Sequence, residues 1–453
     1  MSQIAVNYIL NILVKLQAAS LSRLAFGVPL IYDTENVLGA GAGGLVTGFG
    51  SLAEMAAAGF KPWNAAYKMA DFMLKSSLKP ALFYVGSSTA STLTDQLAAC
   101  ANINAQWYFL LLTSRDAQDL QDAAAWALGQ NGDKYFVGGL HFDSDGKAAA
   151  QAILDADSVT TSLYLVGPAA QVRTITINKS FMAGASPSLL ANGVACSAAW
   201  GSFGTNMQVL GDLAASIALV PGVASAVATP GPDAHVITVH MSSSLIDLVL
   251  GSYVDAGSRT TAKFATTVQA DSPFDAAIVG VVAPKTPSST TAALKKLNRC
   301  LALGLTTGEA QEAEALNVNF YANIGGRDLT FGGWASAMLA DGIPLFADLV
   351  WGKAGFQADL TAALLDALTS QDKLPFNDAG IGAVVGILGN IANRWVGKGF
   401  LEPFDAKKAI TYPRSADIDP AEKSLRVLNG IVGQFVATGA VHKIGLLTVT
   451  IQA

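Results

Sequence analysis

The sequence predicts an α/β protein: a mostly parallel sheet core assembled from the N- and C-terminal parts of the chain, an inserted small α+β domain, and extended terminal strand arms. Three observations carry this reading. Residues 81–165 alternate strand-like and helix-like runs, residues 168–270 shift to Thr, Ser, Ala and Val punctuated by turn clusters, and strand-like runs stand near both ends.

The first run, "IAVNYILNILVKL", places Val6, Tyr8, Leu10, Ile12 and Val14 on one alternating set, with Asn7, Asn11 and Lys15 on the other. Period two favours an extended strand, its second face partly covered because Ile9 and Leu13 blur the alternation. Next, "ALFYVG", "WYFLLLTS", "KYFVGGLHF" and "SLYLVG" read as strands separated by the helical patterns "STLTDQLAACANI", "DAQDLQDAAAWALGQ" and "GKAAAQAILDA". Three consecutive strand-helix units predict parallel pairing. Ser114 or Asp116 is the expected N-cap of the second helix, whose first turn is acidic, as the helix dipole favours.

The stretch from Met207 to Met241 reads as helix, turn, strand, turn, strand. The α/β pattern resumes at Phe274 with "FDAAIVGVVAPK", followed by a predicted helix over "STTAALKKLNRCLAL", an acidic helix "TGEAQEAEALN" and the strand "VNFYANI". Helices are expected at 356–370, 379–396 and 420–437, and a final strand at "KIGLLTVTIQA". No internal repeat is evident.

Composition excludes several functions. The 453 residues carry 28 Lys+Arg and 34 Asp+Glu, a net charge of -6, and 51% hydrophobic residues, which fits neither a disordered chain nor a basic nucleic-acid binder. Only 14% of residues are charged and 44 are glycine. Ordinary domains carry about 25% charge, so much of this surface is expected to face other protein. No apolar run reaches the roughly 18–20 residues of a membrane span: 379–391 is short and closed by Arg394, and 37–53 is mostly small and polar. No signal peptide is read after residues 4–14, so a soluble, unexported chain is expected. Cys100, Cys196 and Cys300 are odd in number and far apart, which predicts buried reduced thiols rather than disulfides or a metal site.

Charge is uneven: residues 81–165 hold 3 basic and 9 acidic residues, whereas 394–453 hold 8 basic and 5 acidic. Such asymmetry steers protein against protein, with two solvated faces as the competing reading.

A search for chemistry returns little. Gly39-Ala-Gly-Ala-Gly-Gly44 satisfies the dinucleotide glycine spacing, but "YDTENVL" before it is not read as a buried strand, and no acidic residue stands about 20 positions on. It is read as a glycine-rich loop. No phosphate loop of the Gly-x4-Gly-Lys-[Ser/Thr] type is present, and hydroxyls at Ser87, Ser88 and Thr89 are better explained by helix capping than by an anion. Ser76/Lys79 and Ser144/Lys147 have nucleophile spacing without accompanying elements. Asp143-x-Asp145-Gly146 starts like a calcium loop, but its twelfth position is Leu154. His235 and His240 fall on opposite faces of a strand. No cofactor, metal or catalytic residue is assigned.

With chemistry unassigned, the ordered patterns point to a family. "VNYILNILVKLQAASLSRLAFGVPLIYD", "FYVGSSTASTLTDQL", "VAPKTPSSTTAALKKLNRCLALGLTTGEAQEAEALNVNFYANIGG" with its Asn-x-Asn-x-Tyr strand after a Pro-rich strand exit, "DKLPFNDAGIGAVVGILGNIANRWVGKGFLEPF" with its Lys-x-Pro-Phe-x-Asp-x-Gly helix start, and "TGAVHKIGLLTVTIQA" resemble the tail sheath proteins of contractile-tailed bacteriophages. The resemblance spans about two thirds of the chain. It implies an N-terminal arm at 1–24, a sheath core at 25–167 and 271–440, an inserted outer α+β domain at 168–270 and a C-terminal strand arm at 441–453.

The resemblance further implies a non-enzymatic structural subunit of the virion tail, assembled in the host cytoplasm. It would form hexameric rings stacked in a helix around the tail tube and contract to drive the tube through the host envelope. Its partners would be further copies of itself, the tail tube protein, and the baseplate and tail terminator proteins, with no nucleic acid and no membrane insertion. Val6, Tyr8, Leu10, Ile12, Val14, Leu446, Thr448 and Thr450 would lie on arm strands added to neighbouring sheets. Arg394, Lys398, Lys407, Lys408, Lys423 and Arg426 are the candidate tube-facing cations. The alternative is a cytosolic α/β enzyme using the loop at Gly39–Gly44.

Overall fold

The computed structural model describes residues 26–440, except 168–171, 179, 202–204, 232–233, 242–247, 257–259, 269–271, 288, 340–341 and 371. The predicted arm strands, and with them Val6, Tyr8, Leu10, Ile12, Val14, Leu446, Thr448 and Thr450, lie outside the described residues.

The first half builds six strands of the main sheet. These are β1 (Leu30–Tyr32), β2 (Leu45–Phe49), β3 (Phe83–Ser87), β4 (Phe109–Leu112), β5 (Tyr135–Leu140) and β6 (Thr161–Leu165). Between them run the helices α1 (Leu52–Ala57), α2 (Ala65–Leu74), α3 (Leu93–Ile103), α4 (Ala117–Gly129) and α5 (Ser144–Asp155). The pattern over 81–165 is thus present as read. Caps explain where its helices start: Thr92 accepts the Asp95 amide, Asp116 the amides of Gln118 and Asp119, and Asp143 that of Gly146. Asp143 is therefore a helix cap, and Lys147 pairs with Glu312 at 2.9 Å.

The next segment makes β7 (Val172–Asn178), β8 (Pro187–Ala191), β9 (Val194–Ser197), α6 (Asn206–Ala218), β10 (Val223–Thr229), β11 (Ala234–Met241), β12 (Val254–Asp255) and β13 (Thr261–Val268). Four of these strands form an antiparallel sheet in the order β10-β11-β7-β13, and three form a second sheet, β12-β8-β9. One hydrophobic cluster joins Ile175, Ile177, Leu213, Ile217, Ile237 and Val239, so α6 packs on the inner face of the four-stranded sheet. On β11, His235 is buried and stacks on Phe181 with rings 5.9 Å apart, whereas His240 is exposed, the alternation expected of a strand.

The last part comprises α7 (Phe274–Val282), α8 (Thr307–Ala315), β14 (Val318–Ile324), β15 (Arg327–Phe331), β16 (Trp334–Met338), β17 (Pro344–Phe346), α9 (Ala347–Thr369), α10 (Asp378–Gly397), α11 (Ala406–Ala409), β18 (Ile410–Thr411), α12 (Pro420–Leu425) and β19 (Val432–Gly433). β14 joins β6 in parallel, completing an eight-stranded sheet ordered β15-β14-β6-β5-β4-β1-β3-β2. Only its edge pairs, β14–β15 and β2–β3, are antiparallel. Alternate strand residues face two layers. Ile31, Val85, Leu111 and Val137 pack with Met69, Ile278 and Trp351, and Leu30, Leu110, Leu112 and Phe136 pack with Leu97, Trp126 and Ile153.

Four expectations are corrected. β1 is a buried central strand directly before "DTENVL", too short at three residues to be read from pattern. Residues 274–282, which lead into what the resemblance implies is a Pro-rich strand exit, are helix; all but Val281 are buried, so no polar stripe marks the period. The helix expected over 289–303 does not form: Leu294 and Arg299 adopt positive φ, and Lys295 pairs with Thr330 at the sheet edge instead. The helix expected over 420–437 stops at Leu425, because Arg426 turns left-handed at φ 57.

Two buried polar devices lock the core. Arg115, at the end of β4, donates to both carboxylate oxygens of Asp275 at 2.8 and 3.1 Å, 160 residues away in the chain. Burial pushes the Asp275 carboxyl up while Arg115 holds it down. Asn319 donates to the carbonyls of Leu163 and Trp334, and its own carbonyl accepts from the amides of Gly333 and Trp334. Asn317 donates to Ala337 O at 2.9 Å, and the Tyr321 hydroxyl is bonded to Leu297. The Asn-x-Asn-x-Tyr pattern thus fastens β14 to its surroundings.

Candidate assembly surface

The C-terminal unit is built from α9, α10 and the chain that folds back along them to residue 440. Its own hydrophobic cluster joins Phe356, Leu360, Ile391, Trp395, Phe400 and Ile410. The start of α10 explains the Lys373 to Gly380 pattern. Asn377 caps it by accepting the Gly380 amide at 3.0 Å, and Asp378 accepts the Ser415 amide. A Cβ at Gly380 would stand 1.8 Å from Pro375 O, so only glycine fits there.

Two candidate cations sit at the other end of this helix. Lys398 Nζ is 3.2 Å from Asp359 and 4.2 Å from the centre of the Trp395 ring, and Arg394 is 4.0 Å from the same carboxylate. Trp395 Nε1 donates to Asp359 at 3.0 Å. Asp359 is therefore the anion that fixes α10 against α9, and Lys398 is engaged in the fold. Lys407 and Lys408 are exposed on α11, Lys423 is half-buried on α12, and Arg426 is exposed just after it. The six share the C-terminal unit, but only Arg394 and Lys398 share a partner.

Past α10 the chain folds back on itself, with the Gln434 amide donating to Ala409 O at 2.8 Å and the Glu402 amide to Val436 O at 2.9 Å. β18 and β19 form a two-stranded ribbon in the register Ile410↔Gly433 and Thr411↔Val432, and Leu401 bridges Ala437. An isolated two-stranded ribbon is marginal in water. Around it Leu425 is 73% and Val436 61% exposed, and Tyr412, Val427 and Val432 are about half exposed. Across residues 81–165, by contrast, only Leu82 and Ile103 are exposed large apolar side chains. The 172–268 segment shares this feature of the C-terminal unit, with Leu219 85% and Met182 66% exposed. At 420–437 sequence reading missed it because the helix expected there would have absorbed it.

The glycine-rich loop behaves differently from a nucleotide cradle. Gly39–Gly44 leads into strand β2 and not into a helix, so no helix N-terminus follows it. It turns carbonyls toward the chain beyond β3: Ala42 O accepts from Ser88 Oγ at 3.0 Å and Gly41 O from the Thr89 amide at 3.3 Å. This is where strand order reverses around β1, the position at which an open α/β sheet holds a ligand. Here it is stitched by Tyr32 Oη to Gln96 at 2.7 Å and Thr34 to Thr113 at 2.9 Å. Asp33 is buried beneath, accepting from the Val37 and Glu35 amides, and burial pushes its carboxyl up to about 6.

Cys100, Cys196 and Cys300 are free and buried, as expected, and burial raises the Cys100 thiol to about 11. Among the described residues no cluster of three His, Cys, Asp or Glu side chains could hold a metal ion, and no helix is long and apolar enough to cross a membrane.

No family model matches the sequence, and no curated protein is similar to it. Solved structures are. A chain of the helical sheath of the anti-feeding prophage in its contracted state is 12% identical, with a TM-score of 0.53 over 96% of this chain and 95% of that one. A chain of the six-fold symmetrised baseplate of the same particle is also 12% identical, with a TM-score of 0.52 over 96% of both chains. This chain has a contractile-sheath fold. A sheath tail protein of Desulfitobacterium hafniense is 10% identical, with a TM-score of 0.47 over 93% of this chain and 98% of that one.

Proposed function

We propose that this chain is a structural subunit of a contractile tail sheath. The observation that carries the reading is the shared fold across almost the whole of both chains, with a sheath caught in its contracted state. Subunits stack as hexameric rings around a tail tube, and the arms at 1–24 and 441–453 add strands to neighbouring copies. The exposed ribbon β18–β19 supports this, because a sheet edge accepts another strand through main-chain hydrogen bonds without demanding particular side chains. Such contacts join different patches and propagate as a helix.

Residues 168–270 serve as an inserted outer domain, supported by their separate sheets and separate hydrophobic cluster. Arg394, Lys407, Lys408, Lys423 and Arg426, with Lys398 held in part by Asp359, face the tube. Exposed ion pairs contribute only about 0–1 kcal/mol each, which suits an interface that must slide. Baseplate and terminator proteins bound the assembly at its ends. The extended sheath is a trapped state that a baseplate signal releases, with rigid cores and hinged arms, and no nucleotide is consumed.

Negative-stain electron microscopy of the purified protein at several concentrations tests the reading. Hollow tubes or stacked rings are expected, and deletion of residues 1–15 is expected to abolish them. Uniform small particles at every concentration would overturn it.

A further inference from the structure

A cleft of about 410 Å³ opens where the loop after α7, the start of α9 and the end of α10 meet, beside the last described residues. Thr290, Lys295, Asp348 and Lys398 are among its lining residues. Its two lysines differ. Lys398 is paired with Asp359. Lys295 has no ion-pair partner within 4.0 Å among the described residues. Asp348 acts on it from beyond that distance, Lys285 adds like charge, and burial disfavours its charged form. An ammonium partly removed from water with its one lining carboxylate beyond ion-pair distance is an unfavourable arrangement that a bound anion would relieve.

The walls are set in advance. The Lys295 amide donates to Thr330 Oγ1 at 2.8 Å and its carbonyl accepts the Thr330 amide at 2.9 Å, fixing the loop to the sheet edge. Opposite, the Thr438 amide donates to Phe400 O at 2.8 Å. The Thr290 hydroxyl has only a long contact, 3.4 Å to Thr291 O, and is free to turn. We infer that this cleft is a binding site for an oxyanion of the sulfate, phosphate or carboxylate type, with Lys295 as its principal cation and Lys398 and Thr290 completing the contacts. The inference stands independently of the assembly reading.

Calorimetric titration with sodium sulfate, against sodium chloride at matched ionic strength, tests it. Saturable sulfate binding is expected in the unaltered chain and in Lys295→Arg and Lys407→Met, and binding about tenfold or more weaker in Lys295→Met. No saturable binding, or equal binding in Lys295→Met, would overturn the site. Crystals soaked in selenate give a readout that needs no variant: an anomalous peak between Lys295 and Lys398 is expected, and a saturating soak without one counts against the site. A carboxylate from another copy shares this chemistry. Sulfate affinity that falls with rising protein concentration identifies that source, and constant affinity identifies the free ion.

Discussion

The α/β core and the C-terminal unit differ in how much apolar surface they leave in water. In the core, two polar devices are buried and paired: Arg115 and Asp275 form a two-point pair with side chains 5% and 0% exposed, and Asn319 makes four buried hydrogen bonds. In the C-terminal unit, a buried cluster around Trp395 leaves other apolar groups outside, with Leu425 and Val436 mostly exposed beside a ribbon of two-residue strands. The core's contacts specify one fold, and under the proposed sheath reading the surface and strand edges of the C-terminal unit are completed by other copies.

The largest expected effect breaks the core side of this comparison. Arg115→Ala strands a fully buried carboxylate, and losing one partner of such a pair costs about 3–5 kcal/mol. Urea unfolding should show that loss; a change below about 1 kcal/mol would mean that the pair does not lock the core. Asn319→Ala should follow, since it removes four buried hydrogen bonds, to the carbonyls of Leu163 and Trp334 and from the amides of Gly333 and Trp334, with only the Trp334 carbonyl keeping a side-chain donor in Ser162, at about 1–3 kcal/mol.

How far the sequence made this legible follows from the range of the forces involved. The strand-helix units of 81–165 were readable because their signals are local: caps such as Asp116 act within three residues, and each helix shows one buried stripe. Helix α7 was not readable as a helix because burial on nearly all sides erases the stripe. The segment 289–303 has helical composition, but Thr330 captures Lys295 across 35 positions, a contact that no local pattern announces. The Asn-x-Asn-x-Tyr and Lys373–Gly380 patterns were visible as patterns, and their physical reasons appeared only with tertiary partners such as Leu163, 156 positions from Asn319, and the carbonyl of Pro375. The cations of the C-terminal unit were legible as charge, and the knot at Asp359 was not.

A smaller effect should appear with pH, again in the core. Burial raises Asp33 and Asp133 to about 6, above the ordinary carboxyl value near 3.8. Between those values the folded chain binds more protons than the unfolded one, so these groups' contribution to stability falls as pH rises from about 4 to about 6. Urea unfolding at pH 4.5 and 6.5 should show part of that slope removed in Asp33→Asn; an unchanged slope would sink the assignment.

The smallest expected effect on folding is the one that sharpens the comparison most. Leu425→Ser and Val436→Ser alter side chains that are already largely in water, so each should move stability by no more than about 0.5 kcal/mol. If the C-terminal unit is completed by other copies, the same two changes should suppress assembly strongly, because burying such side chains fully is worth about 1.5–3 kcal/mol each, repeated at every contact along a filament. Sedimentation velocity at matched concentration reads both forms. A double variant that unfolds like the unaltered chain yet no longer assembles would assign folding to the core and association to the C-terminal unit. A double variant that assembles normally would move the association surface elsewhere, and the exposed apolar cluster around β18 and β19 would need a different partner.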